Sequence, residues 1–304
     1  MSQIESKLAA WARLLRISLA PTAVADVLAG LVLAQGFLPG WNTTLLLVGA
    51  SLCVYHGGMA LNDWSDRVED AKTRPNRPIP SGRISPNMAL AAAAGLFSSG
   101  VLLAVLVSPA AGGWVLALAL CAASYDLFGR GPWLGPLLLG ACRAANMSVG
   151  FFAVDVDFMA ISSLWSAPLL YGMYVFTLSR LGRMEDGEDS SRKTRTPRQL
   201  LVSLAVWFWI IAFLPVPYAS LPGRGVALFL GIAASIGLLR QAKKLETWVP
   251  ADVVPAMGCA LRRMLVFSAA VAALPGGLNN ALVVLLILSL YPVAWYLRRV
   301  SPPS

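Results

Sequence analysis

The sequence is short of charge. Only 13% of its 304 residues are Asp, Glu, Lys or Arg, while 57% are hydrophobic. A soluble domain carries about 25% charged residues, so this chain cannot clothe a water-facing surface of its size, and a disordered chain is excluded on the same ground. Cysteine is also scarce. Cys53, Cys121, Cys142 and Cys259 all sit in apolar runs, without zinc-ligand or redox spacing, and read as small buried hydrophobes. No short apolar core closed by a small-residue cleavage site stands near the N-terminus, so a cleavable signal peptide is not expected; the first apolar segment would act as the insertion signal. The formal charge of +9 does not require nucleic acid, because basic loops on the cytoplasmic side of a bilayer give the same sum.

Long apolar segments are abundant instead. They run Ile17–Gly36, Thr43–Leu61, Asn87–Ser108, Gly112–Leu127, Leu134–Val154, Met159–Leu178, Gln199–Pro217, Val226–Leu239, Met264–Leu274 and Leu278–Leu297. A helix needs about 20 apolar residues to cross the hydrocarbon. Met264–Leu274 is too short alone, and either extends back through Arg262 and Arg263 or forms a half-helix. With ten spans and both termini inside, all of the 24 lysines and arginines except Arg143 and Arg224 lie in cytoplasmic loops or at their edges. Nine spans would put Arg298 and Arg299 outside, against the preference of Lys and Arg for the cytoplasmic side. The expected architecture is an all-α integral membrane bundle of nine to ten helices, one transmembrane domain over residues 1–304, in an inner or plasma membrane.

The two longest polar segments, Asn62–Ser85 and Ser179–Arg198, follow the second and sixth apolar segments. Each holds an acidic cluster and then a basic one, which suggests two halves of related layout meeting at one site. In the first, Asp63, Asp66 and Asp70 fall within about 60° of one another on a continuing helix. Three like charges so close raise one another's pKa unless cations share them. Hard oxygen ligands on one face suit Mg²⁺, which typically joins one or two carboxylates to substrate phosphates. An ordinary acidic helix neutralised by Arg67, Lys72 and Arg74 fits the spacing equally well. The loop that follows is stiffened by Pro75, Pro78 and Pro80 and can hold Arg74 and Arg77 toward an anion.

The run Asn62-Asp63-x-x-Asp66-x-x-x-Asp70, followed by Arg74-Pro-Asn-Arg77-Pro-Ile-Pro-Ser-Gly-Arg-Ile-Ser, resembles the first signature of the UbiA superfamily of intramembrane prenyltransferases. The likeness extends over about residues 16–274, leaving Leu278–Leu297 as a span beyond the family's usual nine. It implies two acidic loops over a central cavity, with Asn62, Asp63, Asp66 and Asp70 on the Mg²⁺-diphosphate of an isoprenoid donor. The second cluster departs from the family's three spaced aspartates: Asp189 matches the last, Glu185 the middle, and Gly182 stands at the first. Thr22-Ala-Val-Ala-Asp26, the Gly140-Ala-Cys-Arg143-Ala-Ala-Asn146 run and the Leu178-Ser-Arg180 entry to the second loop resemble EboC-type members, encoded in a cluster linked to export of a secondary-metabolite precursor. Tyr125 followed by Arg130 resembles the family's diphosphate contacts.

Arg143 and Asn146 lie mid-span, one helical turn apart. A buried intramembrane arginine normally has a partner; Asp26 and Asp126 are the candidates. The pair could bind an acceptor's carboxylate or the diphosphate, or form a purely structural link. His56 reads as a packed polar residue rather than a base. Gly57, Gly58 and the Ala91–Gly95 run would allow close helix packing.

The expected function is Mg²⁺-dependent transfer of a prenyl group from an isoprenoid diphosphate to an apolar, aromatic acceptor. The metal would lie on Asp63, Asp66, Asp70, Glu185 and Asp189, and Arg77, Arg130, Lys193 and Arg198 would neutralise the remaining charge. The rival expectation is a non-catalytic carrier or scaffold of the Ebo type, with partners in a biosynthetic or export cluster.

Overall fold

The structure is a computed structural model and describes residues 7–129, 131–153, 162–183, 195–245 and 250–300. Among the described residues every regular element is a helix: α1 (Lys7–Leu14), α2 (Ala20–Gln35), α3 (Trp41–Ser65), α4 (Arg67–Thr73), α5 (Pro86–Val105), α6 (Pro109–Phe128), α7 (Leu134–Met147), α8 (Ser166–Gly182), α9 (Arg195–Ile211), α10 (Leu221–Lys244), α11 (Pro250–Ala273) and α12 (Leu278–Val300). By length and composition 7 of the described helices can cross a membrane: α2 with the turn before it, α3, α5, α6, α10, α11 and α12.

A serine cap with a proline in the first turn starts three of them. Ser85 accepts the Met88 amide at 3.2 Å before α5, Ser108 the Ala111 amide at 2.9 Å before α6, and Ser220 the Gly223 amide at 3.0 Å before α10. Each side chain satisfies an amide the helix leaves unpaired, and the proline costs no hydrogen bond in the first turn. Ser108 therefore opens α6 and does not close the preceding span, as hydropathy alone assigned it. The short ninth segment extends backward: Met264–Leu274, all but its last residue, belongs to α11, which reaches back to Pro250. Arg262 donates to the Tyr291 hydroxyl at 3.2 Å and Arg263 to the Cys259 carbonyl at 3.3 Å, so both cations are carried inside with partners. The span expected over Leu134–Val154 is interrupted. Its α-helix ends at Met147 and tightens into a 3₁₀ turn, Ser148–Phe152, where Gly150 lies against the backbone of Leu31.

α2 is the most enclosed helix, with α3, α7, α11 and α12 around it. It comes close enough to α7 that a Cβ on Gly30 would stand 1.6 Å from the Met147 carbonyl oxygen. Gly57 likewise admits Phe97 and the Ala93 carbonyl, whereas Gly95 faces open space and contributes no close contact. The outer helices expose Leu102, Phe229 and Leu285, the pattern of a lipid-facing surface.

Candidate functional site

α3 gives way to α4 at Asp66, but the backbone ladder barely breaks: the Asp66 amide donates to Asn62 and the Asp70 amide to Asp66, both at 2.9 Å. Asp63, Asp66 and Asp70 therefore stay on one side. Arg77 reaches back from the proline loop, with Nη1 2.6 Å from Asp70 and 3.6 Å from Asp63. Turns in that loop, Arg77 amide to Arg74 carbonyl and Ile84 amide to Pro78 carbonyl, bury Pro78 and Ile79 and fix the arginine.

From the other side comes Arg16. Its Nη2 donates to Asn62 Oδ1 and to Asp63 Oδ1, each at 3.1 Å. Arg16 has φ 47°, and among the described residues no other non-glycine has positive φ. That conformation costs about 1–2 kcal/mol for an L-residue; its contacts with Asn62 and Asp63 hold it there, as is common for strained residues at functional sites.

These groups stand beside a cavity of about 830 Å³ at the centre of the helices. Its polar wall holds Arg16, Asn62, Asp66, Asp70, Arg74 and Arg183. Its apolar part comes from Leu139 of α7, Val175 and Leu178 of α8, and Leu261 and Met264 of α11. The ends of α3 and α8 thus meet at one cavity. Ser179 and Gly182 line it from α8; Glu185, Asp189 and Lys193 lie outside the described residues, as does Arg130.

The remaining expected residues divide. Arg74 is exposed and faces the cavity, while Arg77 is buried and committed to carboxylates. Tyr125 lines the cavity, as does Arg143. Of its two candidate partners, Arg143 takes Asp26, with Nη1 3.0 Å from Oδ2; Asn146 adds a contact to the same oxygen at 3.4 Å. Arg198 is not brought to the cavity: it donates to the Ala242 and Leu245 carbonyls at 3.1 and 2.7 Å, where a cation complements the C-terminal end of α10. His56 packs as expected, with Nδ1 2.8 Å from the Leu15 carbonyl oxygen. Arg16 and Arg183 were legible only as loop charges. Arg183 reaches the Gly129 carbonyl at 2.6 Å across Gly135, where a Cβ would collide with the guanidinium.

Among the described residues no three His, Cys, Asp or Glu side chains gather into a metal-holding group by themselves. The donors present nonetheless suit Mg²⁺. They are carboxylates and an amide, and Asp63 Oδ2 is buried without a hydrogen-bond partner, which is costly for a carboxylate oxygen left to itself.

A family model described as UbiA prenyltransferase family matches residues 23–258. A digeranylgeranylglyceryl phosphate synthase of Methanothrix thermoacetophila is 44% identical over 81 residues, 27% of this chain and 30% of that protein. Across four archaeal synthases of that name the aligned part spans only 22% to 48% of the relative's length. A 4-hydroxybenzoate octaprenyltransferase of Cupriavidus metallidurans is 26% identical over 77% of this chain and 82% of its own. The fold matches a solved UbiA homolog from Archaeoglobus fulgidus bound to DMAPP and Mg²⁺, with a TM-score of 0.60 and 14% identity over 86% of this chain and 98% of that one.

Proposed function

Because this chain belongs to the UbiA prenyltransferase family, we propose that it transfers a prenyl group from an isoprenoid diphosphate to an apolar acceptor inside the membrane. The observation that carries this is the central cavity, in which carboxylates and arginines at one wall adjoin an apolar remainder. A diphosphate fits the charged wall and a hydrocarbon tail the apolar part. The relatives' names, digeranylgeranylglyceryl phosphate synthase and 4-hydroxybenzoate octaprenyltransferase, support the reaction class.

Asp63, Asp66 and Asp70, with Glu185 and Asp189 from the second loop, would hold Mg²⁺, which when bound neutralises the diphosphate and eases its departure. Arg74, Arg183 and Arg16 supply further positive charge at the same wall, where negative charge grows as the carbon–oxygen bond breaks and the diphosphate takes the electron pair. We assign Arg130 and Lys193 to the same duty. Leu139, Leu178 and Leu261 exclude water, so the allylic cation meets the acceptor first. The whole chain is taken as one domain with α12 packed on α11 and α2, and the basic-residue bias puts the charged wall and both termini on the cytoplasmic side.

The test is product formation by the purified protein from radiolabelled geranyl diphosphate and a panel of acceptors. Transfer that stops on chelation of Mg²⁺ supports the reading. Mg²⁺-dependent binding without product across the panel would instead favour the Ebo-type carrier, for which Gly182, facing the cavity where a third acid is usual, is the supporting feature.

A further inference from the structure

Two thiols meet where α6 packs on α7. Cys142 Sγ donates to Cys121 Sγ at 3.4 Å, and Cys121 Sγ in turn donates to the Leu138 carbonyl at 3.8 Å. Leu138 and Cys142 stand one turn apart on α7, so Cys121 is seated against both ends of that turn. The two cysteines are 21 positions apart in the sequence, which hides the pair. Both side chains are half-buried rather than sealed in the core, as their apolar runs suggested. A thiol is a weak hydrogen-bond donor, so the contact adds little stability; what it supplies is proximity.

The pair stands beside the cavity. The central cavity continues into a smaller chamber of about 90 Å³, walled in part by Leu118, Tyr125 and Asp126 of α6 and by Leu139, Cys142 and Arg143 of α7. Tyr125, Leu139 and Arg143 line both spaces, so a molecule in the outer one reaches Cys142. A cavity of roughly 150 Å³ holds a benzene ring. The chamber is smaller, so a ring or a branched chain end enters only if α6 and α7 part.

A disulfide needs its sulfurs about 2.05 Å apart. From 3.4 Å the remaining gap is within reach of side-chain rotation and a slight approach of the two helices. In closing it, two S–H bonds break and one S–S bond forms, and two electrons and two protons pass to the oxidant. Cys121 lies within a helix long and apolar enough to cross the membrane, so the oxidant class is a lipid-soluble quinone, which leaves as the quinol. In a reducing compartment the resting form is the dithiol and such a bond is transient.

We propose that Cys121 and Cys142 are a redox-sensitive pair whose disulfide ties α6 to α7 and, resting on the prenyl-transfer reading, slows transfer by holding the inner chamber closed. The direction follows from the geometry: a covalent tie limits how far two helices separate and does nothing to favour their opening. Serine at position 121 removes the bond and keeps a side chain of similar size.

The full-length protein in detergent is treated with duroquinone, whose fully substituted ring does not add thiols, then denatured in N-ethylmaleimide and digested. The peptides carrying Cys121 and Cys142 should be recovered joined, with Cys53 and Cys259 alkylated, and dithiothreitol should return all four thiols. The oxidised protein should unfold at a higher temperature than the reduced one, because the tie restricts the unfolded chain. It should also transfer from radiolabelled geranyl diphosphate several-fold more slowly, and Cys121→Ser should show none of these changes. Alkylated Cys121 and Cys142 after oxidation, a bond from either to Cys53 or Cys259, or a joined protein that transfers as fast as the reduced one overturns the proposal. Absence of transfer in both redox states counts against the transferase reading alone; joined peptides with the raised unfolding temperature then support the tie, and free thiols sink it.

Discussion

Arg77 donates to the Asp70 carboxylate at 2.6 Å with both side chains buried. The contact makes the proline loop a clamp: the arginine that the sequence offered as an anion ligand instead holds an acid in place, and leaves Arg74 to face the cavity. Replacing Arg77 with methionine strands Asp70 and weakens the hold on Asp63. Removing one partner of a buried pair costs about 3–5 kcal/mol, so unfolding of Arg77→Met in detergent should come at much lower temperature, with Arg77→Lys between it and the wild type. Equal stability of all three proteins would refute the clamp.

Asp26 and Arg143 form the second buried pair, 3.0 Å apart. Asp26→Leu and Arg143→Met should each destabilise by about 3–5 kcal/mol, yet the double replacement should cost far less than their sum, since an apolar pair leaves no stranded charge. A thermal-unfolding double-mutant cycle reads this; simple additivity contradicts it.

Two glycines should respond with opposite sign. Gly30→Ala puts a Cβ 1.6 Å from the Met147 carbonyl oxygen and forces α2 from α7, whereas Gly95→Ala meets nothing within 4 Å. The first should yield little folded protein. The second should gain about 0.5–1 kcal/mol from reduced backbone freedom in the unfolded chain. Size-exclusion profiles and unfolding temperatures distinguish them.

Gly182→Asp adds a carboxylate at the cavity where the second cluster lacks one. Its Cβ would stand 3.0 Å from the flexible end of Met257, which can move aside. The variant should fold and reach half-maximal activity at a lower Mg²⁺ concentration than the wild type, because ligand charge sets divalent affinity. An unchanged or higher requirement would place residue 182 away from the metal.

Hydropathy located the helices because a bilayer demands long apolar runs, and it located the charged wall because acids and prolines at that spacing are rare in such a chain. It could not orient side chains. Arg16 and Arg183 looked like loop charges that set topology; their direction depends on a strained backbone at Arg16 and on Gly135 making room for Arg183. Arg198 was grouped with the cavity because it follows the second acidic cluster, but the end of α10 lies nearer and offers bare carbonyls. Ser108 caps α6 and does not end the span before it, which a hydropathy window cannot see; α11 extends back through Arg262 and Arg263, one of the two alternatives open in the sequence, because an internal partner such as Tyr291 lets a helix carry polar residues that the window rejects.

Turnover of Asp66→Asn tests the metal–diphosphate reading most directly, since Asp66 faces the cavity whereas Asp63 is buried against Arg16 and Arg77. Transfer from radiolabelled geranyl diphosphate should fall by about 10²-fold or more, with the unfolding temperature close to that of the wild type, and Asp63→Asn should be inactive as well. Undiminished Mg²⁺-dependent turnover in both variants would contradict the assignment of these carboxylates.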